Sequence, residues 1–239
     1  MDSIKIDSRN TKMIAHRGLS GIEKENTNAA FIAAGNRSYF GIETDVHRTA
    51  DGKFVIIHDD VTGRVAIDDV VVEKSTFDTL RSILLTDKDG KTGRADLHIP
   101  TLLEYINTCK RYDKIAVLEL KNEFEKDDIK RICDEIGSVS YLDHVIFISF
   151  VFNNLVKLRE LFPHQPVQFL TGAYEDRFPA LLQEYGFDLD IMYTELNRER
   201  IEDLHAHGVK VNGWTCDDKD AAEKLCEYGI DFITSNILE

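Results

Sequence analysis

Charged side chains stand two residues apart in two hydrophobic segments of the sequence. The segment GIETDV contains Glu43 and Asp45, and the segment IAVLELK contains Glu119 followed by Lys121. Because side chains two apart on a β-strand point to the same side, the members of each pair should share one face. Carboxylates brought together repel one another, and a cation relieves that repulsion. Oxygen ligands select a hard ion, so the pattern predicts one divalent cation, Mg²⁺ or Ca²⁺; salt-bridged or solvated acids are the alternative.

Two histidines stand where they could transfer protons. His16 follows the apolar run MIA, and His58 follows FVII. Because imidazoles titrate near neutral pH, one could deprotonate an attacking oxygen while the other protonates a leaving group. His47 continues the alternation of the acids, but the strand is expected to end near Val46, so we interpret it as structural. The others are interpreted as surface or core residues: His98, His144, His164, His205 and His207.

Two cations accompany these groups. Arg17 follows His16 directly, and Lys121 lies two residues after Glu119. An arginine holds a phosphate with two parallel hydrogen bonds, whereas a lysine acts as a point charge. Ion pairing with Glu43 or Glu119 is the alternative role, and both roles can hold together.

The elements that must position these residues alternate between strand-like and helix-like segments. Strand-like runs cover residues 12–15, 41–46, 114–120, 145–149, 167–171, 190–193, 210–214 and 231–234. Amphipathic helical stretches cover 26–35, 127–136, 153–162, 197–206 and 218–228, with Asp127, Asn153, Asn197 and Asp218 as N-caps. Such alternation predicts parallel strands joined by right-handed crossovers. Eight units in this length predict an α/β fold, the (β/α)₈ TIM barrel; a doubly wound open sheet is the alternative.

A barrel of this kind would bring the chemical groups together. In TIM barrels the residues that do chemistry lie at the C-terminal ends of the strands and in the loops that follow. His16 follows the first predicted strand, and the three carboxylates lie near the ends of the next two barrel strands. We therefore expect them all at one mouth of the barrel.

One segment interrupts the alternation. The stretch from Phe54 to Pro100 is too long for an ordinary βα loop. Residues 54–57 are typical of an additional strand, and residues 76–84 of a short helix. We interpret residues from about 60 to 100 as an insertion on the catalytic face, within a single catalytic domain that covers residues 1–239.

The overall charge limits the class of partner. With 29 basic and 43 acidic residues the formal net charge is −14. Such a field repels polyanions, which argues against nucleic acid and against stable membrane association. The polar start of the sequence lacks the apolar core of a signal peptide, and its four cysteines form no CxxC pair. These features predict a cytoplasmic protein; they do not indicate an oligomeric state.

Seven short motifs carry a resemblance to a known family. HRG at 16–18, ENT at 25–27, ETDV at 43–46, IHDD at 57–60, IPTL at 99–102, LELK at 118–121 and VNGWT at 211–215 occur in this order. Together they resemble the glycerophosphodiester phosphodiesterase family over nearly the whole chain. The resemblance implies a (β/α)₈ barrel with an insertion after the second strand. It also implies metal-dependent hydrolysis of glycerophosphodiesters to sn-glycerol 3-phosphate and an alcohol.

The resemblance also implies roles for particular residues. His16 and His58 match the general acid/base pair, and Glu43, Asp45 and Glu119 match the metal ligands. Arg17 and Lys121 match the phosphate contacts. Glu25, in the ENT motif, is expected beside the site, and Trp214 matches an aromatic residue of the pocket wall, with barrel-core packing as its alternative.

Some positions depart from the family pattern. Lys24 stands where the family often has proline, and Ser235 stands in the position of an aspartate. The segment DDVTGRVA after His58 also differs, and it belongs to the insertion that would contact the alcohol. A lysophospholipase D-like lipid phosphodiesterase is therefore one rival, although the modest apolar content of the insertion favours soluble substrates. A non-catalytic barrel that binds phosphorylated ligands is the rival from another class.

Overall fold

The structure, a computed structural model, describes residues 2–239. Its strands are β1 Lys12–Ala15, β2 Gly41–Arg48, β3 Phe54–Ile56, β4 Ile115–Leu120, β5 Val145–Ser149, β6 Val167–Thr171, β7 Asp188–Met192, β8 Val211–Trp214 and β9 Phe232–Ser235. Its α-helices are α1 Asn28–Gly35, α2 Phe77–Ser82, α3 Leu102–Arg111, α4 Lys126–Ser138, α5 Phe152–Leu161, α6 Phe178–Tyr185, α7 Arg198–Ala206 and α8 Lys219–Glu227.

The sheet closes on itself. Strand β1 pairs in parallel with β9 on one side and with β2 on the other. Between them the order runs β9, β8, β7, β6, β5, β4, β2, and each neighbouring pair is parallel. Within residues 2–239, eight parallel strands therefore form a closed barrel with helices around it, which confirms the predicted fold.

Alternation along the strands separates two layers of apolar side chains. Met13 and Ala15 on β1 point outward and join the large core between the barrel and its helices. Ile14 points inward and joins Val117 and Ile146 in the smaller core of the barrel interior. The barrel strands are therefore covered on both faces, as is usual for parallel sheets.

Strand β2 is longer than the sequence pattern predicts. It continues through Arg48, because its last residues pair antiparallel with β3, with Val46 opposite Ile56. The prediction that the strand ends near Val46 is wrong, and His47 is a buried strand residue. The extension lies beyond the barrel neighbours of β2, so β3 is its partner in the sheet.

Helix boundaries follow the capping prediction in part. Asn197 and Asp218 cap α7 and α8, with side chains that accept hydrogen bonds from backbone amides three residues on. The predicted caps Asp127 and Asn153 are wrong, since both lie inside the first turn of their helices. None of the helices in the described part of the chain is both long and apolar enough to cross a membrane.

The segment between β3 and α3 forms a lobe with its own apolar core. Val72, Leu80 and Leu97 of this segment pack in that core with Val55 of β3, and α2 supplies Leu80. The helix predicted at 76–84 is present as Phe77–Ser82. The lobe therefore packs as a folded insertion after the second barrel strand.

A layer of polar side chains crosses the barrel interior. Thr234 Oγ1 donates to Asn212 Oδ1 at 3.1 Å, and Asn212 Nδ2 donates to Gln168 Oε1 at 3.3 Å. Asp190, opposite Asn212 in the sheet register, is 2% exposed, and its Oδ1 has no hydrogen-bond partner among residues 2–239. Burial, and then the charge of Glu119, raise the pKa of Asp190 well above its ordinary range.

We expect Asp190→Asn to raise the melting temperature of the metal-free protein at pH 7. The folded state keeps a proton on Asp190 that the unfolded chain releases above the ordinary carboxyl pKa, so stability falls as the pH rises. The amide has a similar size and does not ionise. A gain of about 1 kcal/mol corresponds to roughly 2–4 °C in a chain of this size.

Thermal unfolding followed by circular dichroism at pH 7 and pH 4 measures this effect. The gain should shrink at pH 4, where the unfolded chain also binds protons. Asp176→Asn, at an exposed aspartate, is the matched control. A melting temperature for Asp190→Asn at or below that of the parent protein at pH 7 would contradict the prediction.

Candidate active site

The turn after β1 brings backbone amides to the acidic residues of β2. Arg17 and Gly18 both adopt positive φ angles, of 52° and 76°. The Arg17 amide donates to Glu43 Oε2 at 2.8 Å. A side chain at Gly18 would place its Cβ 2.7 Å from the carbonyl carbon of Ala30, so glycine alone fits here. The backbone of this turn therefore holds the Glu43 carboxylate in place.

Three carboxylates converge at the C-terminal mouth of the barrel. Glu43, Asp45 and Glu119 each offer one oxygen, and these oxygens all lie within 4.8 Å of one another. The side chains are buried, with exposures of 3%, 1% and 5%. Strand pairing sets Asp45 directly opposite Glu119, so the register of β2 and β4 brings Glu43 and Asp45 next to Glu119.

Two cations lie against this cluster. Lys121 Nζ is 3.0 Å from Glu119 Oε1 and 3.6 Å from Asp45 Oδ1. Arg17 Nε is 3.7 Å from Asp45 Oδ2, on the opposite side of that carboxylate. The two cations therefore offset part of the charge of the three acids.

The pKa values of the three carboxylates reflect their burial and these neighbouring charges. Burial, and then the charge of Asp45, raise the pKa of Glu43 well above its ordinary range and that of Glu119 to about 8. Burial also opposes ionisation of Asp45, but Lys121 and Arg17 outweigh it and hold its pKa below the ordinary range. With the protein groups alone, ionisation is therefore favoured at Asp45 and opposed at Glu43 and Glu119.

The donor set fits a hard divalent cation. Asp45 Oδ1 and Glu119 Oε1 are buried, and neither has a partner in hydrogen-bond geometry among the described residues. Lys121 Nζ lies near both oxygens without completing a hydrogen bond to either, so the cost of burying their charge is only partly compensated. Carboxylate oxygens are the ligands that Mg²⁺ and Ca²⁺ prefer, and a bound cation would return all three acids to their ionised forms.

Asn26 also contacts the carboxylates. Its Nδ2 donates to Asp45 Oδ2 at 2.7 Å, and its Oδ1 accepts from Thr44 Oγ1 at 2.6 Å. Asn26 adopts a positive φ of 52° and is buried. The sequence reasoning singled out Glu25 in this motif and missed Asn26, whose residue type tolerates the left-handed conformation and can donate to a carboxylate.

His16 lies between the carboxylates and the last strand. Its Nε2 is 3.9 Å from Glu43 Oε2, and its Nδ1 is 2.8 Å from Asn236 Oδ1. Burial, and then the charge of Arg17, lower the pKa of His16 to about 4. In this arrangement the imidazole is neutral at pH 7.

His58 is held by a chain of alternating charges. Its Nδ1 is 2.6 Å from Asp59 Oδ1, and Asp59 Oδ2 accepts from Arg64 Nε. Arg64 also forms two hydrogen bonds with Glu25, at 2.7 and 2.8 Å. Glu25 in turn accepts from Arg17 at 2.8 Å. The insertion thus reaches the site through Arg64.

The charged groups linked in this way shift one another's pKa values. Arg64 and Arg17 outweigh the effect of burial and lower the pKa of Glu25 to about 2. Arg64 and His58 likewise lower the pKa of Asp59 to about 2. Burial lowers the pKa of His58 itself, which Asp45 and Asp59 oppose. Sequence reasoning missed Arg64, because nothing in DDVTGRVA marks it as pointing back to the site.

His47 contacts the insertion and the backbone of His58. Its Nδ1 is 3.2 Å from Glu73 Oε1, and its Nε2 is 3.3 Å from the carbonyl oxygen of His58. Both ring nitrogens therefore have partners. The structural interpretation of His47 agrees with these contacts, although the strand boundary used to reach it was wrong.

The side of the mouth formed by β5 to β8 is apolar. Trp214 ends β8 and is partly buried, with its ring 5.7 Å from that of Phe150 in an edge-to-face arrangement. Phe150 is 47% exposed, and Met192, beside Trp214 in the register, is 38% exposed. Trp214 therefore belongs to a wall that faces the mouth and also packs on the interior core.

Comparison with known proteins agrees with this geometry. The model of the glycerophosphoryl diester phosphodiesterase family matches residues 16–238. A glycerophosphodiester phosphodiesterase of Caldanaerobacter subterraneus subsp. tengcongensis is 30% identical over 230 residues, which cover 95% of this chain and 94% of that protein.

Solved structures are similar in fold as well. A phosphodiesterase of Oleispira antarctica, in complex with the product sn-glycerol-3-phosphate, is 27% identical with a TM-score of 0.83, covering 98% of this chain and 96% of that one. A glycerophosphodiester phosphodiesterase from Parabacteroides distasonis is 28% identical with a TM-score of 0.77, covering 95% and 93%.

We expect Mg²⁺ or Ca²⁺ to raise the melting temperature of the protein, since a ligand that binds only the folded state stabilises it. Glu43→Gln and Glu119→Gln should abolish the rise, because each removes a carboxylate of the cluster. The affinity should increase as the pH rises through about 8, where Glu119 loses its proton without help from the cation.

Thermal melts against metal concentration at pH 6.5 and pH 8.5 measure both effects. Glu184→Gln, at an exposed glutamate of α6, controls for nonspecific binding to an acidic protein. Two outcomes would show that the cluster does not bind the metal. In one, the melting temperature of Glu43→Gln rises as much as that of the parent protein; in the other, neither melting temperature rises.

Proposed function

The chain belongs to the glycerophosphoryl diester phosphodiesterase family, and we propose that the groups at its barrel mouth perform that family's reaction on its substrates. It is a phosphoric diester hydrolase that converts a glycerophosphodiester to sn-glycerol 3-phosphate and an alcohol. The observation that carries the proposal is the meeting of three buried carboxylates, two histidines and two cations at one mouth of the barrel.

Glu43, Asp45 and Glu119 would hold one divalent cation. When bound, such an ion stabilises the negative charge that develops on the phosphoryl oxygens. Their oxygen-only chemistry accepts Mg²⁺ or Ca²⁺, and we propose either ion as the cofactor. Asn26 keeps Asp45 in place through its 2.7 Å hydrogen bond.

Arg17 and Lys121 would bind the phosphoryl oxygens of the substrate. Arg17 Nε is buried and has no hydrogen-bond partner among residues 2–239, so a donor remains for an anion. Lys121 lies between two of the carboxylates and would bring its charge to the same point. Preorganised donors of this kind stabilise the transition state because they need no reorientation during the reaction.

His16 and His58 would move the protons. Each ring is anchored through Nδ1, by Asn236 and by Asp59 respectively, so each has Nε2 available for the substrate. One takes the proton of the attacking oxygen while the other gives a proton to the leaving oxygen. The attacking oxygen belongs to water or to the glycerol 2-hydroxyl, and detection of a cyclic phosphate intermediate distinguishes these routes.

We propose a small phosphodiester as the partner and a cytoplasmic location. The four cysteines are buried and free, as in proteins of a reducing compartment. The strongly acidic composition disfavours nucleic acid and anionic membrane surfaces.

A lipid phosphodiester is a second candidate substrate. Ile67, on the insertion close to Arg64 in sequence, is 75% exposed, and Val61 and Val71 are 39% and 41% exposed. Exposed aliphatic side chains near a site can receive an acyl chain. Parallel assays with glycerophosphocholine, glycerophosphoethanolamine and a lysophospholipid decide between the two substrates.

We expect His16→Ala and His58→Ala each to lower kcat by roughly 10²- to 10⁴-fold, the usual contribution of a general acid or base. Release of glycerol 3-phosphate from glycerophosphocholine, with and without EDTA, is the measurement. His164→Ala, at an exposed histidine, should leave turnover unchanged. Turnover that persists in either active-site variant would remove that residue from the acid/base pair; no turnover by the metal-loaded parent protein would favour the ligand-binding barrel.

We expect Arg64→Ala to lower kcat by on the order of 10-fold, because Glu25 and Asp59 lose the cation that joins them and His58 loses its support. Arg64→Lys should recover part of the loss, since an ammonium restores the charge without the paired hydrogen bonds. Steady-state kinetics measure both.

Arg94→Ala is the matched control, because Arg94 is also on the insertion and pairs with Glu23 and Asp96. An equal loss of kcat in Arg94→Ala would mean that any disturbance of the insertion lowers kcat.

A further inference from the structure

The residues that anchor His16 come from the two last loops of the barrel. Asn236 follows β9, and Asp217 follows β8. Asp217 Oδ2 accepts from Asn236 Nδ2 at 2.6 Å, and Asp217 Oδ1 accepts from the Asn236 backbone amide at 2.8 Å. The hydroxyl of buried Ser235 also donates to Asp217 Oδ1, at 2.8 Å. The Asn236 side chain is therefore held from behind by a carboxylate with three donors on it.

This carboxylate fixes which way the Asn236 amide points. An ionised carboxylate only accepts hydrogen bonds, so the NH₂ group of Asn236 must face Asp217. Its Oδ1 must then face His16, 2.8 Å from Nδ1. An amide oxygen also only accepts, so Nδ1 must carry the hydrogen. In the neutral ring, Nε2 then carries the lone pair.

The other end of the ring faces the reacting groups. Nε2 lies 3.9 Å from Glu43 Oε2, on the side of the carboxylate cluster. Ser20 Oγ lies 2.7 Å from both the His16 carbonyl oxygen and Asn236 Oδ1, so the backbone and the anchor of the ring are held together. The ring has little freedom to turn.

We propose that Asn236, locked by Asp217, is a positioning residue that keeps His16 in the Nδ1–H tautomer and presents an unprotonated Nε2 to the substrate. The inference rests on the proposed role of His16 in proton transfer. It adds a residue pair that the sequence reasoning did not select and gives the reacting nitrogen of His16 a defined state.

The two histidines differ in the chemistry of their anchors. His58 Nδ1 faces the carboxylate of Asp59, whereas His16 Nδ1 faces a neutral amide. An amide orients the ring without adding negative charge beside it. Asn236 thus orients the ring, while the negative charge belongs to Asp217, which contacts Asn236 and not the ring.

The test compares the tautomer of His16 in four proteins with Mg²⁺ present. Long-range ¹H–¹⁵N NMR correlations of the imidazole distinguish the two tautomers, and the His16 signals are assigned by their loss in His16→Ala. In the parent protein we expect Nδ1–H and an unprotonated Nε2. In Asn236→Ala we expect a mixture of tautomers, and in Asn107→Ala, at an exposed asparagine of α3, the parent pattern.

A swapped pair supplies the rescue. In the double variant N236D/D217N the carboxylate faces His16 and accepts from Nδ1–H, and the amide behind it donates to that carboxylate. The contact geometry is preserved with the two groups exchanged, so the double variant should return the Nδ1–H tautomer even where Asn236→Ala is poorly folded.

Kinetics give the second measurement. Asn236→Ala should lower kcat on glycerophosphocholine by about 10- to 100-fold with KM changed less than 3-fold, because the ring is misoriented while the phosphate contacts remain. The double variant should recover at least half of the loss on a logarithmic scale. Melting temperatures within a few degrees of the parent establish that the variants are folded.

Failure of the inference differs from failure of the proposed function. An Nε2–H tautomer in the parent protein, or an unchanged Nδ1–H tautomer in Asn236→Ala, would overturn the positioning role whatever the activity. A parent protein without phosphodiesterase activity that still shows the expected tautomers would leave the positioning role standing and remove the proposed function.

Discussion

The structure depends on the burial of three carboxylates within 4.8 Å of one another at the end of a barrel. Water cannot solvate them there, so their charge must be offset by neighbouring groups. Arg17 and Lys121 supply two charges on opposite sides of Asp45, and the remaining deficit is the physical reason for a divalent cation. The strained turn at Arg17 and Gly18 follows from the same need, because it aims a backbone amide at Glu43.

The surrounding loops extend this charge balance outward. From Asp45 the signs alternate through Arg17, Glu25, Arg64 and Asp59 to the second histidine. Arg17 stands 3.7 Å from Asp45, and the links beyond it are short, charge-assisted hydrogen bonds, which are the stronger kind. The insertion is therefore an integral part of the site, and its separate apolar core is what holds Arg64 in place.

Much of the fold follows from local pattern. Alternation of short apolar runs with amphipathic stretches predicts the barrel, and the strands from Val145 to Ser149 and from Val167 to Thr171 have the predicted bounds. The errors fall where a non-local partner decides the structure. Strand β2 continues to Arg48 only because β3 returns to pair with it. The predicted cap Asn153 instead lies inside α5 and donates to Glu123, on the loop after β4.

The sequence by itself determined which residues share a strand face, because a period of two puts Glu43 beside Asp45 and Glu119 beside Lys121 whatever surrounds them. Only the tertiary structure decided how those faces are completed. Asn236 reaches His16 across 220 residues of chain, and Arg64 reaches Glu25 across 39. No local pattern encodes such contacts. They depend on where the closed barrel brings its loops and on which atom of a side chain such as Asn236 faces its partner.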